Sequence, residues 1–405
     1  MKKVMSLLVA VAMVATLLVG CGSTAATTDA PAATDAVEAT DAATADVAAD
    51  GEGFKIGGIG PVTGGAAVYG QAVKNGAELA IEEINAAGGV NGSQLVFKFE
   101  DDEHDAEKAV NAYNTLKDWN MQLLMGTVTS TPCVAVTEKT KEDNMYQLTP
   151  SGSAVPCVQY DNAFRVCFSD PNQGTASAKY IGENKLATKV AVIYDSSDVY
   201  SSGIYEKFAA EASNQEIEIV AAEAFTADNK TDFTTQLLKA QNGGAELVFL
   251  PIYYQEATLI LKQADTMGFA TQFFGCDGLD GILGVENFDT ALAEGVMLLT
   301  PFAADATDDL TKNFVDKYVA TYGDTPNQFA ADAYDAIYII KAALEKSGAT
   351  ADMSVSDICE AMKTAMPEIS VDGLTGEGMT WTADGEVNKA PKAIKIENGA
   401  YVAMQ

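Results

Sequence analysis

The chain has 405 residues, 48% of them hydrophobic, enough for two or three domains with substantial cores. Its 57 Asp and Glu stand against 25 Lys and Arg, a formal charge of -32, and that balance argues against nucleic acid, whose phosphates need a basic surface. Arg165 is the only arginine and His104 the only histidine, which argues against ligands gripped by an arginine fork and against a zinc centre.

Residues 1–20 pair a positive "MKK" with the apolar run "VMSLLVAVAMVATLLVG" and read as an export signal. It meets "LVGC" at 18–21, which is similar to the lipobox of bacterial lipoproteins. Cleavage before Cys21 would leave that residue as a lipid-carrying N-terminus; a retained membrane helix is the other reading. Residues 21–53 are Ala/Thr/Asp low complexity, too poor in large apolar side chains to bury a core, and are expected to be a disordered tether. The folded body then starts near Phe54, outside the cytoplasmic membrane, where no nucleotide or nicotinamide cofactor is expected.

From there strand-like runs alternate with helical ones. The strands are expected at 54–59, 94–100, 121–126, 145–149, 189–195, 216–225, 245–251, 271–276 and 295–300. Helices fill 70–87, 105–118, 131–142, 173–184, 202–214, 231–242 and 255–267; residues 308–347 turn mainly helical, and the tail reads as short strands. Near-continuous apolar strands separated by helices predict parallel sheets covered on both faces. A break at "RVCFSDPNQG" (165–174) starts a second series, so the fold expected is α/β, two lobes with a cleft between them.

The first strand enters "IGGIGPVTGGAAVYG" (56–70). A phosphate-binding loop needs lysine where Ala66 stands, and a dinucleotide fingerprint needs glycine at Thr63. The acids ending the second strand, Glu100, Asp101 and Asp102, lie far beyond the place of a ribose partner. What remains is close packing of helix on strand, or a cleft-edge loop projecting Tyr69. "GTVTSTPC" (126–133) and "LTPSGSAV" (148–155) both follow strands, and Ser130 or Thr131 can cap the helix after the first. Hydroxyls and free N–H groups at two such stations can also hold one carboxylate without arginine. In the second series Tyr200, Tyr253, Tyr254 and Asp277 end strands; a cleft carboxylate with tyrosines around it suits an ammonium, although Asp277 can equally cap a turn. No Gly-x-Ser-x-Gly elbow occurs, and a Ser-His-Asp arrangement would have to use His104 from a polar loop, so no catalytic residue is expected. Cys133, Cys157, Cys167, Cys276 and Cys359 lack CxxC spacing; Cys133 and Cys157 either pair or stay as buried thiols.

"KIGGIGPVTGGAAVYGQAVKNGAELAIEEINAAGGVNG", "EDDEHDAEKAVNAYN", "LMGTVTSTP", "LTPSGSA", "FRVCFSDPNQG" and "GLTGEGMTWTADGE" together resemble the leucine/isoleucine/valine-binding proteins, the type I solute-binding lipoproteins of branched-chain amino acid ABC importers. The resemblance implies two Rossmann-like parallel-sheet lobes with three hinge crossings, 54–170 plus 301–377 and 171–300 plus 378–405. It implies a monomer, held to the outer face of the bacterial cytoplasmic membrane by its lipid, that delivers an amino acid to ABC permease subunits. The ligand carboxylate would meet Ser130 and Ser153 with amides near Thr129 and Gly152, its ammonium would meet Asp277, Tyr200 and Tyr253 would line the second lobe, and Tyr69, Val128 and Phe329 would shape the side-chain pocket. Relatives often carry Glu at position 277 and a disulfide joining the regions of His104 and Thr129; here both differ, which opens the choice of amino acid. A receptor for short amides, urea or another small metabolite is the alternative in the same fold; a sensory ligand-binding protein and an exported hydrolase are readings from other classes.

Overall fold

The computed structural model describes residues 52–404, so the export signal, Cys21 and the tether lie outside the described residues. Strands β1 (Gly53–Gly60), β2 (Gln94–Asp101), β3 (Leu123–Gly126), β4 (Tyr146–Thr149) and β5 (Ala163–Arg165) form one all-parallel sheet in the order β2-β1-β3-β4-β5. A second sheet holds β6 (Lys189–Asp195), β7 (Glu218–Phe225), β8 (Leu247–Leu250), β9 (Gln272–Gly275) and β10 (Met297–Thr300), all parallel, with the antiparallel hairpin β11 (Lys392–Glu397) and β12 (Ala400–Ala403) at its edge; the order is β12-β11-β10-β9-β8-β6-β7. Every residue of β3, β4, β8 and β10 is buried, which is why these strands read as unbroken apolar runs.

Helices α1 (Ala67–Ala86), α2 (Ala106–Asp118) and α3 (Ser130–Asp143) connect the first sheet, and α4 (Asp170–Glu183) leads out of it. The second sheet carries α5 (Val199–Ala212), α6 (Thr234–Asn242) and α7 (Tyr254–Thr266). After β10 the chain returns through α8 (Asp309–Tyr322), α9 (Gln328–Ser347) and α10 (Val355–Ala365) to the first sheet's side, then enters β11. The chain therefore passes between the sheets three times. Residues beyond the expected lobe limit at 377 still sit on the first side: Trp381 Nε1 donates to the Arg165 carbonyl at 2.8 Å, and Arg165 N donates to the Gly385 carbonyl at 3.1 Å.

The expected elements appear within a few residues of their limits, while β5 and α10 were not expected. β5 has only three residues, and α10 rests on a Ser354 cap that accepts from Asp357 N at 3.1 Å. All five cysteines among the described residues are buried free thiols, so Cys133 and Cys157 form no disulfide; they pack in one small cluster with Ala154.

The first half is locked by the crossing of α1 and α9. Gly76 on α1 lies so near α9 that an added Cβ would sit 2.1 Å from the Ala330 carbonyl oxygen. That oxygen is backbone in the first turn of α9 and cannot swing away as a side chain could. Gly76→Ala should therefore lower stability by about 1–3 kcal/mol despite its better helix propensity, read as a lower urea midpoint; an unchanged midpoint would show that the two helices slide apart freely.

A candidate ligand-binding cleft

The two halves meet through the strand ends and helix starts that follow them. From the first half, the loop after β3 places Val128, Thr129 and Ser130 at the start of α3, and the loop after β4 carries Gly152 and Ser153. These loops are stitched together: Ser151 Oγ donates to the Val128 carbonyl at 2.6 Å and Thr149 Oγ1 to the Thr127 carbonyl at 2.6 Å. Gly152 N donates to Thr149 Oγ1 at 2.7 Å, and Ser130 Oγ accepts from the amides of Ser153 and Ala154 at 3.2 and 3.1 Å. Two of the donors expected for a carboxylate are thus turned onto the loops themselves, while Ser130 keeps its own hydroxyl proton to donate. Arg165 is buried beneath, donating to the carbonyls of Ser153 and, at 3.0 Å, Ala154. Its charge is spent holding the loop and never reaches the cleft as a fork.

From the second half come Tyr200 near the start of α5, Tyr253 before α7, and Asp277 after β9. Tyr200 Oη donates to Asp277 Oδ1 at 2.7 Å and accepts from Gly278 N at 2.9 Å. The rings of Tyr200 and Tyr253 stack with centroids 4.8 Å apart. Burial pushes the Asp277 carboxyl up to about 7, against the pull of the Tyr200 hydrogen bond.

Tyr69 does more than the sequence suggests. Its ring lies 4.3 Å from that of Phe329, both from the first half, and meets Tyr253 edge-on at 5.7 Å. Its hydroxyl donates to the Gly278 carbonyl at 2.6 Å and accepts from Tyr254 N at 3.1 Å, bridging the halves. Val68 N donates to Tyr254 Oη at 3.2 Å, Thr131 Oγ1 to Asp198 Oδ1 at 3.0 Å, and Gln328 Nε2 to the Asp277 carbonyl at 3.1 Å. The halves are closed on each other.

Residues that sequence reasoning missed complete the site. Asp170 and Gln173, a turn apart at the start of α4, face Asp277, whose amide donates to Gln173 Oε1 at 3.2 Å. Both Asp170 carboxylate oxygens, Gln173 Nε2, Ser153 Oγ and Tyr253 Oη are buried without a hydrogen-bond partner. Buried polar groups are normally partnered, so this convergence of unsatisfied groups makes the junction the candidate ligand site. Desolvation raises the Asp170 carboxyl well above its usual range. The "SDPNQG" motif was the available signal: a helix start whose acid faces inward. His104 Nδ1 and Thr129 Oγ1 are joined by a hydrogen bond at 2.8 Å.

Residues 53–400 match the family described as periplasmic binding protein. A Leu/Ile/Val-binding protein homolog of Brucella melitensis is 30% identical over 86% of this chain and 93% of its own length. A leucine-, isoleucine-, valine-, threonine- and alanine-binding protein of Pseudomonas aeruginosa is 30% identical over 76% of this chain and 82% of its own. Among solved structures, a branched-chain amino acid transporter substrate-binding protein of Streptococcus pneumoniae, in complex with isoleucine, is 28% identical with a TM-score of 0.79, covering 87% of this chain and 98% of that one. A solute-binding protein of R. palustris in complex with benzoate reaches a TM-score of 0.77 at 20% identity, covering 87% and 95%, and shares the fold alone.

The raised Asp277 carboxyl ties the ligand-free protein's stability to pH. Between its ordinary 3.8 and about 7 the folded state holds a proton that the unfolded chain has lost, so stability falls as pH rises through that window. Asp277→Asn stays neutral and should be more stable than wild type at pH 8, by roughly 2–4 kcal/mol, with a shallower pH slope in urea unfolding. Parallel slopes for the two proteins would assign the effect elsewhere.

Proposed function

The chain belongs to the periplasmic binding protein family of extracytoplasmic solute-binding proteins, with the type I two-lobed fold, and we propose that it captures an α-amino acid, leucine, isoleucine or valine first, and delivers it to an ABC importer. One observation carries the reading. Asp170 and Asp277 are sealed at the junction of the halves, and among the described residues neither forms an ion pair with a cationic side chain. A buried carboxylate in that state wants a cation, and a ligand ammonium supplies it.

The carboxylate end of such a ligand falls to Ser130 and Ser153, with the amides near Thr129 and with that of Gly152, released to it from the Thr149 hydroxyl. Tyr69, Val128 and Phe329 wall the side chain from the first half; Tyr200 and Tyr253 close over it from the second. Contacts to both halves exist together only when the cleft is shut, so the ligand selects the shut form, and that form is what the permease meets. Asp277 is one methylene shorter than glutamate, which leaves room for a ligand set differently from that of relatives. In this reading the chain is a monomer tethered by a lipidated Cys21, and it transforms nothing. Short amides and urea need no carboxylate partner, and they form the control set.

In a thermal-shift panel on protein unfolded and refolded to strip ligand, leucine, isoleucine or valine should stabilise, by about 2.7 kcal/mol at a hundred times Kd. Response to amides alone would replace the substrate class. Binding should also expel protons: the ammonium favours ionised Asp277, so affinity should fall as pH drops below about 7, by up to about tenfold per unit for each proton released. Calorimetry in buffers of different ionisation enthalpy reads this directly, and equal heats would remove Asp277 as the ammonium's partner.

A further inference from the structure

Beside the cleft lies a small chamber of about 140 Å³, walled by both halves: Gly65, Ala66, Glu103 and His104 from the first, and Asp195, Asp198, Tyr253, Glu256 and one cation, Lys230, among those from the second. Tyr253 and His104, whose rings meet edge-on at 5.2 Å, separate it from the aromatic wall of the amino acid site. Four carboxylates line it. Two are neutralised locally, Glu256 by Lys230 at 3.0 Å and Glu103 by Lys108 at 2.6 Å. Asp195 accepts only from Ser197, through its amide at 2.8 Å and its hydroxyl at 2.6 Å. Asp198 is 8% exposed; Oδ1 takes the Thr131 hydroxyl, and Oδ2 is buried with no partner. Asp198 stands at the start of α5, whose first amides temper its charge, yet among the described residues no cationic side chain pairs with it; a nearly buried carboxylate in that state on a preformed cavity is the complement of a cation.

We propose that this chamber is a subsite for the far end of the ligand and takes a side-chain ammonium, so that the protein binds α,ω-diamino acids as well as aliphatic ones. The inference rests on the reading that the α-amino and α-carboxylate groups are held at Asp277 and at Ser130 and Ser153. A stem of methylenes would lie along Val128 and the Tyr253 ring, and its ammonium would reach Asp198 past His104. Apolar walls that end in a carboxylate suit an amphipathic side chain better than a purely aliphatic one. Desolvation raises the Asp198 carboxyl while no cation is present, and an incoming ammonium would hold it ionised.

The test is calorimetric titration of stripped protein with L-leucine, L-ornithine, L-lysine and L-norleucine, the last having lysine's stem without its amine. Ornithine or lysine should bind roughly tenfold or more tighter than norleucine. In Asp198→Asn, and separately in Asp195→Asn, this ratio should collapse toward one, with thermal melts confirming a folded protein. Leucine binding with no preference for the diamino acids over norleucine would overturn the subsite and leave the amino acid reading standing. A preference that survives both substitutions would also overturn it. Failure of every amino acid to bind would remove the reading beneath, and this one with it.

Discussion

Carboxylates shut between two halves of a protein, without a cationic side chain to meet them, set the terms for everything around this cleft. Asp170 and Asp277 are each raised by desolvation and act on one another at the junction. Closure on an empty site therefore works against charge, and closure on a cationic ligand works with it. The tyrosines follow from that constraint. Tyr200 gives Asp277 a neutral donor, and Tyr253 stacks on Tyr200 while its own hydroxyl stays unspent. A residue that neutralised the acids permanently would make the shut form stable without ligand, and the protein would lose its reason to open.

The opposite end of the site is built on the same economy of charge. The chain's single arginine is buried under the loop that carries Gly152 and Ser153, fastening its carbonyls, with Glu386 3.4 Å from one guanidinium nitrogen. In the proposed site, hydroxyls and backbone amides are what is left to face the ligand. Neutral donors hold a carboxylate with less strength than a guanidinium fork, and they suit a receptor that must give its ligand up.

Much of this was legible before any coordinates. The strands were visible because buried parallel strands are apolar throughout, and β6 falls on its expected limits. The break at "RVCFSDPNQG" was visible because a new series of strands starts after it. Three-residue β5 has no periodicity to detect, and α10 lay in a stretch whose polar cap was not weighed. In the site, Asp277 and the tyrosines could be found from their place at strand ends. Asp170 and Gln173 had only the "SDPNQG" motif to point to them, and a buried acid in a helix's first turn looks like an ordinary helix start until the fold brings it near Asp277. Tyr69 was read as a wall for the ligand, and its bond to the Gly278 carbonyl, which ties the halves, depends on a partner more than 200 residues away.

The contact of Gly76 with the Ala330 carbonyl has a meaning beyond stability. It welds the helix that carries Tyr69 to the helix that carries Phe329, although the chain builds the five parallel strands of the second sheet between them. The two aromatic walls of the pocket therefore belong to one rigid piece and keep their spacing whether the cleft is open or shut. In the proposed binding mode a ligand arriving at the open protein would meet a finished mould, and its shape would be judged before the second half moves. Discrimination among side chains can then precede closure, so that a misfit is turned away in the first encounter and never has to be expelled from a shut receptor.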